Sequence, residues 1–115
     1  MTYPVFVFIG ERRVKLVEDY LLPDGRSILK GFESDLGSVP RFLWWFLSPY
    51  DIKYASIVHD YEWLLAKFGL CSYGQSNKNF YLNAIVMDNT PKWKALMCFF
   101  SLEAVKFYKI ISAAL

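Results

Sequence analysis

The chain has 115 residues, 55% of them hydrophobic and 19% aromatic, and a formal net charge of +2. That length suits one domain around one core, and so apolar a composition excludes long disorder. The thirteen Lys and Arg residues are scattered, with Arg12-Arg13 the only adjacent pair, so the basic stripe of a nucleic-acid-binding protein is missing and no nucleic acid is expected as a partner.

The first third reads as strands. Tyr3 to Ile9 is apolar throughout and rich in β-branched and aromatic residues, as in a strand covered on both faces. Gly10-Glu11 marks a turn. Arg13 to Tyr20 then partly alternates polar with apolar, the pattern of a half-buried strand. Pro23-Asp24-Gly25 is a turn with a mechanism, because proline presets φ and glycine accepts positive φ. Ser27 to Phe32 is the returning strand, which makes a small antiparallel sheet of about three strands over residues 1–34.

Gly31 to Arg41 is the junction where strand gives way to helix. Pro40 suits a first helical turn, with Ser38 or Val39 at the cap. Arg41 to Leu47 forms one or two turns dense in aromatics, and Trp44 and Trp45 cannot share one helix face, so one of them lines a groove or interface. Asp51 to Phe68 is the clearest helix, with Ile52, Ala55, Val58, Leu65 and Phe68 at helical spacing and Gly69 at its end. Gly69 to Gly74 reads as a loop, Ser76 as the cap of a helix over Asn77–Met87, and Thr90-Pro91 as the opening of a last helix. Residues 38–115 therefore supply three or four helices, and strands followed by helices make the single domain 1–115 α+β.

Nothing at the N-terminus resembles a signal peptide. The most membrane-like stretch, Trp93 to Leu115, is broken by Lys94, Glu103, Lys106 and Lys109, short of the about 20 apolar residues of a spanning helix. Contact of this segment with a membrane surface is the weakest of the functional readings. Cys71 and Cys98 lack the close spacing of a disulfide framework and read as free thiols.

Chemistry concentrates on the one histidine. His59 and Asp60 are neighbours on a helix, about 100° apart, so Asp60 is poorly placed to orient the His59 ring. Asp35, expected on a loop, is the better carboxylate, and Ser38 lies three residues beyond it. One histidine excludes a histidine-rich metal site, and zinc on Cys71, Cys98 and His59 lacks any short ligand spacing. A Ser38-His59-Asp35 triad is available in residue type, yet Ser38 lacks the Gly-x-Ser-x-Gly elbow and serves more simply as a cap. The simplest enzymatic reading makes His59 a general base on water, with Asp35 as its orienter or a metal ligand, Asp60 as a second acid and Ser38 as a donor to substrate. No cofactor is required, and a divalent cation is compatible. The plain structural alternative is a packed histidine bonded to a carbonyl or a carboxylate.

Gly31-Phe32-x-Ser34-Asp35-Leu36-x-Ser38-Val39-Pro40-Arg41, followed by Trp44-Trp45, Pro49-Tyr50, Tyr54-Ala55 and His59-Asp60-Tyr61, resembles a family of small proteins of unknown function widespread in tailed bacteriophages and prophages. The likeness is close over residues 28 to 63. It implies a phage or prophage accessory protein located in the host cytoplasm or the virion, in which Asp35, Ser38, His59 and Asp60 form one site. A host or phage protein is the implied partner, with Trp44, Trp45 and Tyr54 as the candidate binding surface. The family tends to carry an acid ahead of the phenylalanine of the third helix, where this chain has Asn77-Lys78-Asn79-Phe80.

Overall fold

The computed structural model describes residues 3–10, 13–36 and 49–114. Five short strands precede three helices, an α+β order: β1 Phe6–Phe8, β2 Arg13–Leu16, β3 Tyr20–Leu21, β4 Ser27–Ile28, β5 Glu33–Asp35, then a 3-10 turn at Pro49–Ile52, α1 Lys53–Lys67, α2 Tyr73–Val86 and α3 Lys92–Ala114.

The sheet is antiparallel in the order β1-β2-β5, and β3 and β4 form a separate hairpin ladder. In β2 the alternation is obeyed, with Val14 and Leu16 buried and Arg13 and Lys15 exposed. The strand expected over Ser27–Phe32 is divided. Ser27–Ile28 pairs with β3, and the chain then turns at Gly31, whose φ of +94° only glycine adopts freely, before it enters β5. Gly31 donates its N–H to Leu16 O, and Leu16 donates in return to Phe32 O, which delivers Glu33 to Asp35 into register against β2 as Lys15↔Glu33 and Arg13↔Asp35. Asp35 is thus a strand residue and not a loop residue. The expectation that Tyr3 to Ile9 is covered on both faces also fails. β1 is an edge strand, and Val5, Val7, Phe8 and Ile9 are each almost half exposed.

α1 is the central element. Its residues 55–59 are buried without interruption. One side packs with α2 and α3 around Phe80, Ala84, Ala95, Cys98 and Leu102, while Ile57 and Val58 meet Val14, Leu16, Ile28 and Leu36 from the strand layer. Gly69, with φ of +76°, ends α1, and Leu70 N–H returns to Leu65 O. No side chain of its own caps the start of α1. Instead Asp88, just after α2, accepts from the amides of Tyr54 at 3.1 Å and Ala55 at 2.9 Å, the second and third amides of the helix, which lack intrahelical partners. α2 begins earlier than Asn77. Ser72 is the cap, its Oγ accepting from Gln75 N–H at 3.1 Å, and Ser76 is a buried residue inside the helix. Gly74, which reads as loop, occupies the first turn of α2, where a glycine does least harm. Both cysteines are free thiols. The short aromatic helix expected over Arg41–Leu47 lies outside the described residues.

Candidate functional site

His59 projects from the middle of α1 and is 2% exposed. Its Nε2 lies 2.8 Å from Oδ1 of Asn77 on α2. The same oxygen accepts from Trp63 Nε1–H at 3.1 Å. An indole nitrogen only donates, so Trp63 fixes the Asn77 amide with its oxygen toward both rings. His59 Nε2 must then carry a proton, which leaves the lone pair on Nδ1. That Nδ1 is buried and has no hydrogen-bond partner among the described residues. Trp63 and Phe80 pack on the ring at centroid distances of 5.1 and 5.3 Å. Burial pushes the His59 pKa down to about 4 against the smaller opposing pull of Asn77, so the imidazole is neutral at pH 7.

Asp60 faces elsewhere, as the 100° step predicts. Its Oδ2 accepts from Ser34 Oγ at 2.6 Å and from the Asp35 backbone N–H at 3.1 Å, which fastens β5 to α1. The proposed Asp35–His59 hydrogen bond is therefore replaced by two others: His59 with Asn77, and Asp60 with the backbone of Asp35. Strand alternation is the reason. In β5 Ser34 is buried while Glu33 and Asp35 are exposed, so Ser34 and not Asp35 turns its side chain toward α1. Ser34→Ala is expected to cost about 2 kcal/mol, the scale of a hydrogen bond to a charged group. Urea unfolding reads this directly, and an unchanged midpoint would remove Asp60 as the clasp between sheet and helix.

His59, Asp60 and Asp35 nonetheless line one cleft of about 520 Å³, together with Phe32, Glu33, Trp63, Lys67 and, from α3, Leu102, Val105 and Lys109. Lys109 Nζ sits 4.6 Å from the centre of the Trp63 ring, a cation held over an aromatic face. Tyr54 is half-buried. Its ring meets Tyr3 in a tilted contact at 4.9 Å and Phe6 edge-on at 6.1 Å, which makes it a joint between the N-terminal strand and α1. Ser38, Trp44 and Trp45 lie outside the described residues.

A second polar cleft, of about 490 Å³, includes Glu62, Arg26, Asp24, Cys71, Ser76 and Asn79. Glu62, three residues beyond His59 and equally buried, accepts from Arg26 Nη2 at 2.7 Å and Asn79 Nδ2 at 2.9 Å through Oε2. Arg26 also reaches Asp24 Oδ2 through Nε at 2.6 Å, so the β3–β4 hairpin is tied to α1 through one guanidinium. Among the described residues no group of three or more His, Cys, Asp and Glu side chains is arranged to hold a metal ion. Nor is any helix there long and apolar enough to cross a membrane.

Sequence reasoning missed Asn77, Trp63 and Ser34. Trp63 carried a usable signal, since it stands four residues after His59 on the same helix face. Asn77 carried only an indirect one, a polar residue in the stretch where an acid is expected.

Residues 14–102 match the model of a protein family described as "Protein of unknown function (DUF1353)". No curated protein and no solved structure matches the chain.

Proposed function

The chain belongs to the DUF1353 family of unknown function, and from that premise we propose that it is a bacteriophage or prophage accessory protein whose cleft carries a small hydrolytic site with His59 as general base. The observation that carries the reading is the fixed tautomer: the Asn77 oxygen, oriented by Trp63, accepts from Nε2–H, and the Nδ1 lone pair is left without a partner among the described residues on a residue that lines a cleft. Once a water from the cleft reaches the sealed Nδ1, such an imidazole takes a proton from it as the nucleophile attacks. Asn77 is the positioning residue. Asp60 holds β5 and α1 together at the wall, Asp35 and Glu33 supply negative charge at the exposed side, and Lys67 and Lys109 supply the cations against which a developing oxyanion is stabilised. The phage assignment rests on the Gly31–Arg41 and His59-Asp60-Tyr61 motifs.

His59→Gln is the variant to use, because glutamine retains an N–H for Asn77 while removing the ring lone pair. With a panel of p-nitrophenyl carboxylic, phosphomonoester and phosphodiester substrates, the wild-type protein should turn over at least one class. His59→Gln should lose about a hundredfold in kcat/KM, the lower end of general-base contributions, with the thermal midpoint kept within a few degrees. Equal turnover by the two proteins would sink the assignment. A second reading rests on the 2% exposure of His59: the ring is a packing element of a non-catalytic phage protein that binds a host factor or sits in the virion. Collapse of the fold in His59→Gln, with no turnover by the wild type, favours that reading.

A further inference from the structure

α3 buries one face and leaves the opposite face apolar. Ala95, Cys98 and Leu102 are at most 2% exposed. At 100° per residue, the side of the helix facing away from them carries Trp93, Met97, Phe100, Ala104, Phe107 and Ile111. All six are exposed, with Phe100 at 64% and Phe107 at 62%. Their spacing alternates four and three residues, the seam of a coiled coil, along a helix of 23 residues, or about 34 Å. Leu96 and Tyr108 flank the stripe and are also exposed.

We propose that this face binds a second copy of the chain, α3 against α3, antiparallel about a two-fold axis near Leu102. Run against itself in that register, the stripe pairs Trp93 with the partner's Ile111, Met97 with the partner's Phe107, and Phe100 with the partner's Ala104. Each pair sets a larger side chain against a smaller or more flexible one, and the central pair seats the Phe100 ring in the space left by alanine. Every contact is made twice, as an isologous interface requires. The exposed parts of the seven large apolar side chains on this face come to roughly 700–800 Å², close to one partner's share of a standard-size interface. The charges of α3 argue for a protein partner over a lipid surface. Lys94 pairs with Asp51 at 3.7 Å, Lys106 pairs with Glu103, and Lys109 lies over Trp63, so three of the four lysines of the helix are engaged within the molecule rather than offered to anionic head groups. The His59 cleft is lined by Leu102, Val105 and Lys109, which lie on the other side of α3, so pairing leaves it open.

Sedimentation equilibrium of the full chain should give twice the chain mass at micromolar concentration. Phe100→Glu and Phe107→Glu should each raise the dimer dissociation constant by about a hundredfold or more, with the far-UV spectrum unchanged and the thermal midpoint lowered only by what dimerisation had added, since both side chains are exposed in the protomer. The register has its own test. Trp93→Cys/Ile111→Cys, oxidised and run without reductant, should form covalent dimers far faster than Trp93→Cys alone, with the wild-type cysteines as background. A monomer at high concentration overturns the proposal, as does a monomer that floats with anionic vesicles. Cross-linking by Trp93→Cys alone as fast as by the double variant overturns the antiparallel register.

Discussion

Arg26→Ala is expected to destabilise the protein by about 3 kcal/mol, the lower end of the loss on removing one partner of a buried ion pair, because the Arg26 side chain is itself 32% exposed. Glu62 is 2% exposed, its Oε1 has no partner among the described residues, and its Oε2 has two, Arg26 and Asn79. Without the guanidinium, a carboxylate remains inside the fold with one neutral donor, its charge no longer compensated. The Asp24 side of the same arginine matters far less. Asp24 is half exposed, and exposed pairs are worth about 0–1 kcal/mol. Asp24→Ala should therefore move the urea midpoint little, while Arg26→Ala moves it greatly. Replacing both members together, Arg26→Met/Glu62→Leu, should recover most of the loss, because the penalty lies in the uncompensated charge and not in the absence of the pair. If the double variant is as unstable as Arg26→Ala, the bridge is holding the β3–β4 hairpin in place by geometry and not by charge balance.

The contrast between Arg26–Glu62 and Asp35–His59 shows what the sequence can specify. The helix from Asp51 was legible because its apolar spacing, its terminal glycine and its following loop all agree, and α1 with its 3-10 entry occupies nearly that span. The strand expected over Arg13–Tyr20 was legible in its first half, where polar and apolar residues alternate, but it bends at Val17-Glu18 and Tyr20 opens β3 in the separate hairpin. Of the residues singled out in the sequence, Asp35, His59 and Asp60 line one cleft, while 37–41 of the junction lie outside the described residues. The pairing inside the cleft was not legible. Reading Asp35 as a loop residue gave its side chain freedom that β5 removes, and the ladder of β5 on β2 joins residues 18 to 22 apart in the chain, for which no local signal exists. Asn77 was hidden by the start of α2. With the helix begun at Asn77, that residue reads as a first-turn position, whereas capping by Ser72 places it a full turn inside, buried against α1. Burial also follows from tertiary packing. Glu62 and His59 look like ordinary helix residues until the strand layer and α2 close over both sides of α1.

Two buried groups should oppose each other in the acid range, and single variants should separate them. The unfolded His59 takes up a proton near 6.5 and the folded one near 4. Between those values the unfolded state binds more protons, so His59 lowers stability as pH falls, by about 3 kcal/mol over the window. Asp88 behaves in the opposite sense. Burial raises its carboxyl from 3.8 to about 6 against the amides of Ala55 and Tyr54. Between pH 6 and 4 the folded state binds more protons, and Asp88 raises stability as pH falls by a similar amount. The contributions of the two groups nearly cancel in the wild type. In His59→Gln the opposing term is gone, so stability relative to wild type should climb by about 3 kcal/mol from pH 6.5 to pH 4. Asp88→Asn should do the reverse, falling relative to wild type from pH 6 to pH 4, on top of a constant loss from an amide that cannot accept from both backbone donors at the start of α1. Unfolding free energies from urea titrations across this range provide the two difference curves. A flat difference for His59→Gln would mean that the folded ring takes up protons like the unfolded one, and a histidine so solvated lacks the desolvated Nδ1 lone pair on which the general-base assignment depends. A rising difference places the ring neutral well below physiological pH, so that in the cleft it accepts a proton only as one is being released by the attacking group.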